Sequence, residues 1–379
     1  MTRALILGGG TNGSAMAMDL AGQDGWSVTL ADHDAGVLSR VKDAYGVSVA
    51  KADLTDSKQL GPLLADHDIV LGALPSHLGF AALRTVVESG RHCVDVSFMP
   101  EDATSLSRLA REKGSITVID CGLAPGISNM AAGYAKRIMH VCEMVEIYIG
   151  GLPAQRHWPF QYKAPSSPAD AIEEYMRPAN VMQGGKRIVR QAMSDPDLID
   201  FDGIGTLEAF LTDGLRSLIH TLKVPFMSEK TLRYPGHIEL MRVLRQTGMF
   251  SKTPIDVKGK SVVPLELTQA LLGKQWSYAE GEEDLTVMRV VARGVERGDP
   301  VRYQWDLLDR YDRATATRSM ARCVGFTAAI MARMIVDGKF ARQGVHPPEM
   351  VGQQEGLLPA MLEALKERGV VVQQTRVEL

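Results

Sequence analysis

The chain is poor in several things, and each shortage removes a class of protein. Four cysteines, Cys93, Cys121, Cys142 and Cys323, are scattered through 379 residues with no Cys-x-x-Cys pair. That spacing offers neither a disulfide frame nor a zinc site and fits reduced thiols in a cytoplasmic protein. No cluster of His, Cys and carboxylate residues has metal-ligand spacing, so no metal is expected. Charge of either sign is not in excess: 42 Lys and Arg stand against 45 Asp and Glu, for a net charge of −3. The balance supplies no basic footprint for nucleic acid and no polybasic patch for a membrane surface. No apolar run is read as reaching the ~20 residues of a membrane helix, and residues 1–7 read as a strand, not a signal peptide. Internal repeats and low-complexity tracts are also lacking.

What is present begins at the amino terminus. The apolar run Ala4-Leu5-Ile6-Leu7 passes directly into Gly8-Gly9-Gly10-Thr11-Asn12-Gly13, and small helix-compatible residues follow. Strand, G-x-G-x-x-G turn and helix start form a pyrophosphate site. Gly8 lets the strand turn, Gly10 lets a phosphate approach the backbone, and Gly13 lets the helix pack on the strand, while N–H groups around Thr11 and Asn12 donate. A second strand, Trp26 to Asp32, ends in an acid at the ~20-residue spacing that serves an adenosine ribose. A carboxylate at Asp32 repels a 2′-phosphate, and His33 follows it in place of a pairing arginine, so NAD is expected over NADP.

The alternation of strand and helix continues. Helix Val37 to Tyr45, strand Val47 to Ala50 and a capped helix through Leu64 lead to strand Asp68 to Pro75. Then come helix Leu78 to Ser89, strand His92 to Ser97, helix Glu101 to Lys113 and strand Ile116 to Asp120. Six strands with intervening helices read as a doubly wound parallel sheet of Rossmann type. Ligands bind at the carboxyl ends of such strands, which draws attention to Asp53, Ala73-Leu74-Pro75, His77, Asp95 and the turn from Cys121 to Gly126. Asp53 is either an adenine-edge ligand or a turn residue. The 121–126 turn is a nicotinamide-end loop, a linker, or both. Beyond Cys142 the texture alternates, with strands Met144 to Gly150, Thr286 to Val295 and Val301 to Tyr311, the last two joined by a short turn. That is an α+β domain with a mixed or antiparallel sheet, followed by helices Ala316 to Val336 and Leu357 to Arg368.

Six segments in this order carry a likeness: Gly8 to Gly13, Cys121 to Gly126, Gly150-Gly151-Leu152-Pro153, Tyr162-Lys163, Glu174 to Ala179, and Thr231-Leu232-Arg233-Tyr234-Pro235-Gly236-His237. Together they resemble the saccharopine dehydrogenase family, most closely its lysine 6-dehydrogenases. The resemblance implies a Rossmann dinucleotide-binding domain over residues 1–125, a substrate-binding and dimerisation domain over 126–335, and a segment 336–379 packing back on the first. It implies a homodimeric nicotinamide enzyme acting at a carbon–nitrogen bond of a small amino acid. One departure stands out: where relatives carry Trp-Ser after Tyr-Lys, this chain has Ala164-Pro165-Ser166-Ser167-Pro168.

Hydride leaves an amine only when its nitrogen is neutral, and a lysine ammonium has a pKa of about 10.4, so a base is required. Asp95 is one candidate, and His77 is the other, or else a loop cap. Cys121 is a nicotinamide wall or an inert buried thiol. By resemblance Arg233 and Arg216 hold substrate carboxylate, for which the guanidinium fork is suited. Tyr175 and His237 either bond substrate or pack the interior, and Arg177 is a candidate surface ion pair. The leading expectation is an NAD-dependent dehydrogenase oxidising the terminal amine of lysine or a related diamino acid. The rivals are a reductase condensing an amine with a keto or aldehyde acid, as in saccharopine or carboxyspermidine formation, and a non-catalytic NAD-binding protein.

Overall fold

The computed structural model describes residues 1–164 and 168–379, so the stretch Pro165-Ser166-Ser167 within the departure noted above lies outside the described residues. The chain divides into two units, 1–137 with 321–371, and 138–320 with 372–379.

The first unit opens with β1 (Thr2–Leu7), α1 (Thr11–Ala21), β2 (Trp26–Asp32), α2 (Ala35–Tyr45), β3 (Ser48–Lys51) and α3 (Ser57–Ala65). It goes on through β4 (Ile69–Gly72), α4 (Ser76–Glu88), β5 (His92–Asp95), α5 (Ser107–Glu112), β6 (Ile116–Val118) and α6 (Ile127–Ile138). Continuous apolar strands such as Ile69–Gly72 are buried throughout, as a sheet covered on both faces requires. The helix expected over Glu101 to Lys113 is instead a 3-10 turn, Ala103–Leu106, followed by α5, because the Asp102 carboxylate caps the Thr104 N–H.

The second unit carries β7 (Val141–Pro153), α7 (Pro168–Met176), β8 (Ala179–Gln183), β9 (Lys186–Arg190), β10 (Asp197–Phe201), β11 (Gly205–Leu211), α8 (Leu218–Thr221) and β12 (Phe226–Arg233). Then follow α9 (His237–Gln246), β13 (Ile255–Val257), β14 (Lys260–Val262), α10 (Pro264–Trp276), β15 (Asp284–Glu296) and β16 (Asp299–Arg310). From there α11 (Ser319–Val336), β17 (Gly344–His346), α12 (Pro348–Gly352) and α13 (Leu357–Lys366) complete the first unit, and β18 (Val372–Glu378) returns to the second.

The first sheet is parallel with order β17-β6-β5-β4-β1-β2-β3, seven strands where the sequence suggested six. The order reverses beside β1, which places Gly8 at the switch point where dinucleotides bind. The second sheet runs β10-β11-β12-β7-β15-β16-β18 and is mixed, since β12 and β7 are parallel while their neighbours are antiparallel.

These compact units are divided at other residues than the expected boundaries at 125 and 335. Helix α6 belongs with the first sheet, and so does α11 from Ala321 onward, because Arg333 on α11 and Arg368 after α13 both pair with the buried Asp19 of α1. Only the last strand of the expected 336–379 segment lies elsewhere, zipped along β16 from Val301↔Glu378 to Leu307↔Val372. A correction concerns α11, which by length and composition alone is apolar enough to cross a membrane, although no such run was expected. With 78% of it buried inside the protein, it serves as a core helix.

Candidate functional site

The nucleotide end is built by β1, α1 and β2. Gly8 has φ +98°, and a Cβ there would sit 2.7 Å from the Ala73 carbonyl oxygen. A Cβ at Gly13 would overlap the Gly8 carbonyl, whereas nothing lies within 4 Å of one at Gly10. The space above Gly10 is thus open, and Gly10 itself precedes an α1 start that no side chain caps. First-turn N–H groups that no side chain satisfies form an anion site, so these residues fit a pyrophosphate. Asp32 is already oriented: one carboxylate oxygen accepts the Gly9 N–H at 2.7 Å and the other the Asp34 N–H at 2.9 Å, with His33 Nδ1 at 3.1 Å. A carboxylate offers about four lone-pair sites, so capacity remains for ribose hydroxyls. Asp53 is exposed and accepts both the N–H and the hydroxyl of Thr55, the turn role named as its alternative.

The carboxyl ends of β4 and β5 converge on Asp95. Its carboxyl is 3% exposed and accepts the Ser97 N–H at 2.7 Å, while the Ser97 hydroxyl receives the Leu74 N–H at 3.2 Å. The other Asp95 oxygen lies against Gly72, where a Cβ would overlap it. Burial pushes the Asp95 carboxyl up to about 8, against the bonds from Ser97 and with help from Asp120. Ala73 and Leu74 are half-buried, and Pro75 precedes α4. His77 is exposed on the first turn of α4 and is not a partner of Asp95. Cys121 is fully buried, its N–H donating to the Asp95 carbonyl at 3.0 Å, and burial pushes its thiol far up, so it stays protonated.

In the second unit the structure brings together Arg233, Tyr175 and His237. Strand alternation places Glu229, Thr231 and Arg233 on one face of β12. Arg233 Nε donates to Tyr175 Oη at 3.2 Å, and its Nη2 donates to Glu174 at 2.9 Å and Tyr162 Oη at 3.4 Å. The His237 Nδ1 lies 2.8 Å from the Phe160 carbonyl, which only accepts, so Nδ1 carries the proton and Nε2 accepts from Tyr175 Oη at 2.9 Å. Burial and the Arg233 charge push the imidazole down to about 3, which keeps it neutral. Tyr162 also lines a recess of about 380 Å³ with Phe160, Lys163, Trp158 and Trp276. Arg216 lies on the turn after β11, half-buried, with φ 53°, and is not among the partners of Arg233. Arg177, half-buried, follows α7. Among the described residues no group of three or more His, Cys, Asp or Glu side chains is placed to hold a metal.

Residues 4–118 match the saccharopine dehydrogenase NADP-binding domain, and residues 122–370 match the saccharopine dehydrogenase C-terminal domain. The chain belongs to the saccharopine dehydrogenase family. Among its relatives is an alpha-aminoadipic semialdehyde synthase of Arabidopsis thaliana, 26% identical over 67% of this chain and 26% of that one. The carboxyaminopropylagmatine dehydrogenase of Synechocystis sp. is 22% identical over 91% of this chain and 92% of its own. The NADP(+), L-glutamate-forming saccharopine dehydrogenase of Saccharomyces cerevisiae is 24% identical over 74% of this chain and 65% of its own. The chain spans 26–47% of the length of the first three synthases it matches. The apo saccharopine dehydrogenase structure from Saccharomyces cerevisiae superposes over both whole chains with a TM-score of 0.83 at 19% identity, which establishes the shared fold.

As a saccharopine dehydrogenase family member, the chain carries a Rossmann domain for a pyridine nucleotide. Sequence reasoning missed Gly9, whose N–H anchors Asp32, and Ser97, which ties the Leu74 loop to Asp95. For Gly9 the signal was the unbroken glycine triplet; for Ser97 it was its place at the strand end with Asp95. It also missed Glu229.

Proposed function

We propose that the protein is an NAD-dependent dehydrogenase that oxidises the terminal amine carbon of lysine or a related diamino acid to an imine, which hydrolyses to the semialdehyde. The observation that carries this reading is Asp95, buried at the carboxyl edge of the nucleotide-binding sheet with one oxygen bonded to Ser97, where burial pushes its carboxyl up to about 8. It gains its charge in the alkaline range in which the amine begins to shed its proton, so its carboxylate takes that proton. NAD, when bound, supplies the hydride acceptor. The α1 N–H groups bind its pyrophosphate and Asp32 its ribose, and Asp32 supports NAD although the matched domain is named for NADP. Arg233, fixed by two tyrosines and Glu174, holds the α-carboxylate. A homodimer fits the exposed apolar side chains of the second unit, among them Leu198 and Val189, and four free buried cysteines fit a cytoplasmic setting.

A condensing reaction is the second reading, supported by the near full-length match to carboxyaminopropylagmatine dehydrogenase and by a second arginine, Arg216, for a second carboxylate. The deciding assay follows reduction of NAD and NADP at alkaline pH with L-lysine, ornithine, 2,4-diaminobutyrate, saccharopine and carboxylated polyamines. Turnover of a free diamino acid supports the first reading. Turnover of secondary amines alone moves the assignment to the second, and silence on all of them overturns both.

A further inference from the structure

Glu229 lies mid-strand on β12, 4% exposed, and no role so far described uses it. Its carboxylate accepts the Thr212 hydroxyl at 2.6 Å, and Thr212 in turn meets the Thr231 hydroxyl at 2.7 Å. The carboxyl presses so closely on Gly214 that a Cβ there would overlap it. One residue earlier, Asp213 accepts the Asn180 side-chain amide at 2.7 Å, and one residue later Leu215 is fully buried. Every residue from Thr212 to Leu215 is therefore pinned, and the next is Arg216 in the left-handed region, which a non-glycine residue keeps only where its surroundings impose it.

We infer that Glu229 is a positioning residue, a clamp that sets the Thr212–Leu215 turn and thereby the backbone from which Arg216 presents its guanidinium to a substrate carboxylate. The inference rests on the second reading above, in which Arg216 holds a second carboxylate beside the one on Arg233. Burial, with Glu174 and Asp213 nearby, pushes the Glu229 carboxyl up to about 8, so the clamp is neutral at pH 7 and buries no unpaired charge. A glutamine keeps an acceptor for the Thr212 hydroxyl and the group packed on Gly214, whereas an alanine removes both.

Two measurements on the full chain separate the clamp from the reading beneath it. Hydrogen exchange over the turn 212–215 needs no substrate: Glu229→Ala is expected to accelerate it about tenfold or more, and Glu229→Gln to leave it near the wild-type rate. Unchanged exchange in Glu229→Ala overturns the clamp. With a substrate that carries a second carboxylate, such as saccharopine, Glu229→Ala is expected to raise KM about tenfold with kcat within about twofold, and Glu229→Gln to restore it. In an Arg216→Ala background the same change is expected to cost less than about twofold, because the group it positions is gone. An equal rise in that background overturns the assignment to Arg216 and leaves Glu229 a structural residue. Fast exchange in Glu229→Ala with no change in KM in either background leaves the turn clamped but refutes Arg216 as a carboxylate ligand.

Discussion

Replacing Asp32 by alanine gives the sharpest test of the nucleotide end. In the protein as it stands, the carboxylate bonds two backbone N–H groups at 2.7 and 2.9 Å and still has lone pairs for two ribose hydroxyls. A hydrogen bond to a charged group is worth about 1.5–3 kcal/mol, and partial replacement by water brings two such losses to about 2–4 kcal/mol. At 1.4 kcal/mol per tenfold, kcat/KM for NAD falls about 30- to 700-fold. For NADP the same substitution removes a repulsion. Unit charges 4 Å apart interact by about 1 kcal/mol in water and about 4 kcal/mol in a partly buried site, and a 2′-phosphate carries more than one charge. NADP use therefore improves about fivefold or more, and the ratio of the two cofactors shifts by at least about a hundredfold. The substitution also frees the Gly9 N–H and loosens the turn that both nucleotides share, so this side effect cancels in the ratio. Steady-state kinetics with each cofactor at one pH suffices; a ratio that moves less than about threefold refutes the assignment of Asp32 to the ribose.

Asp95→Asn is expected to abolish amine oxidation while NAD still binds by fluorescence titration; retained turnover removes Asp95 as the base. The same substitution reports on stability. A carboxyl raised from 3.8 to about 8 holds its proton in the folded state, so its stabilisation is full below about pH 4 and is lost as pH rises through 8, with a slope up to about 1.4 kcal/mol per pH unit. Denaturation midpoints from pH 5 to 9 are expected to fall more steeply in the wild type than in Asp95→Asn, and parallel curves contradict the buried protonated acid. Gly13→Ala forces a Cβ into the Gly8 carbonyl and is expected to lower stability by about 1–3 kcal/mol and abolish nucleotide binding, read by thermal shift with and without NAD. Arg233→Ala strands two tyrosines and Glu174, and because the Glu174 side chain is 43% exposed, the loss falls near the lower end of the buried-pair range, about 3 kcal/mol in urea denaturation. Arg233→Lys keeps the charge without the fork and is expected to recover stability better than substrate affinity.

The nucleotide site was legible because its signals are local. Strand Trp26 to Asp32 falls on the residues expected, and the glycine turn needs only its own neighbours to be understood. Long-range partners were not legible. Three residues, Gly344–His346, form the seventh strand with no periodicity of their own, since a strand that short is defined by the edge it joins. Nothing in the pattern of α11 says which unit it packs in; that is decided by Arg333 reaching Asp19, 314 residues away. In the second unit Tyr175, His237 and Arg233 were named singly, but which His237 nitrogen carries the proton depends on the Phe160 carbonyl, a backbone group no side-chain pattern announces. Glu229 drew no reading from the sequence, because the turn that packs on it at Gly214 lies elsewhere along the chain.

The interleaving of the two units has a consequence for biosynthesis. A ribosome that has made residues 1–137 has not made a nucleotide-binding unit, because the edge strand and α11 arrive only after the whole of 138–320 has emerged. The second unit waits longer still, for the strand over 372–378 that covers β16 with its Trp305 and Tyr303. Until then both sheets present open edges, the state in which chains pair with the wrong neighbour. Neither unit can be obtained by simple truncation, and a stop codon shortly before Val372 spares every residue proposed to touch nucleotide or substrate yet leaves a sticky strand exposed. Loss of such a protein from the cell would be a failure of assembly with its chemistry intact.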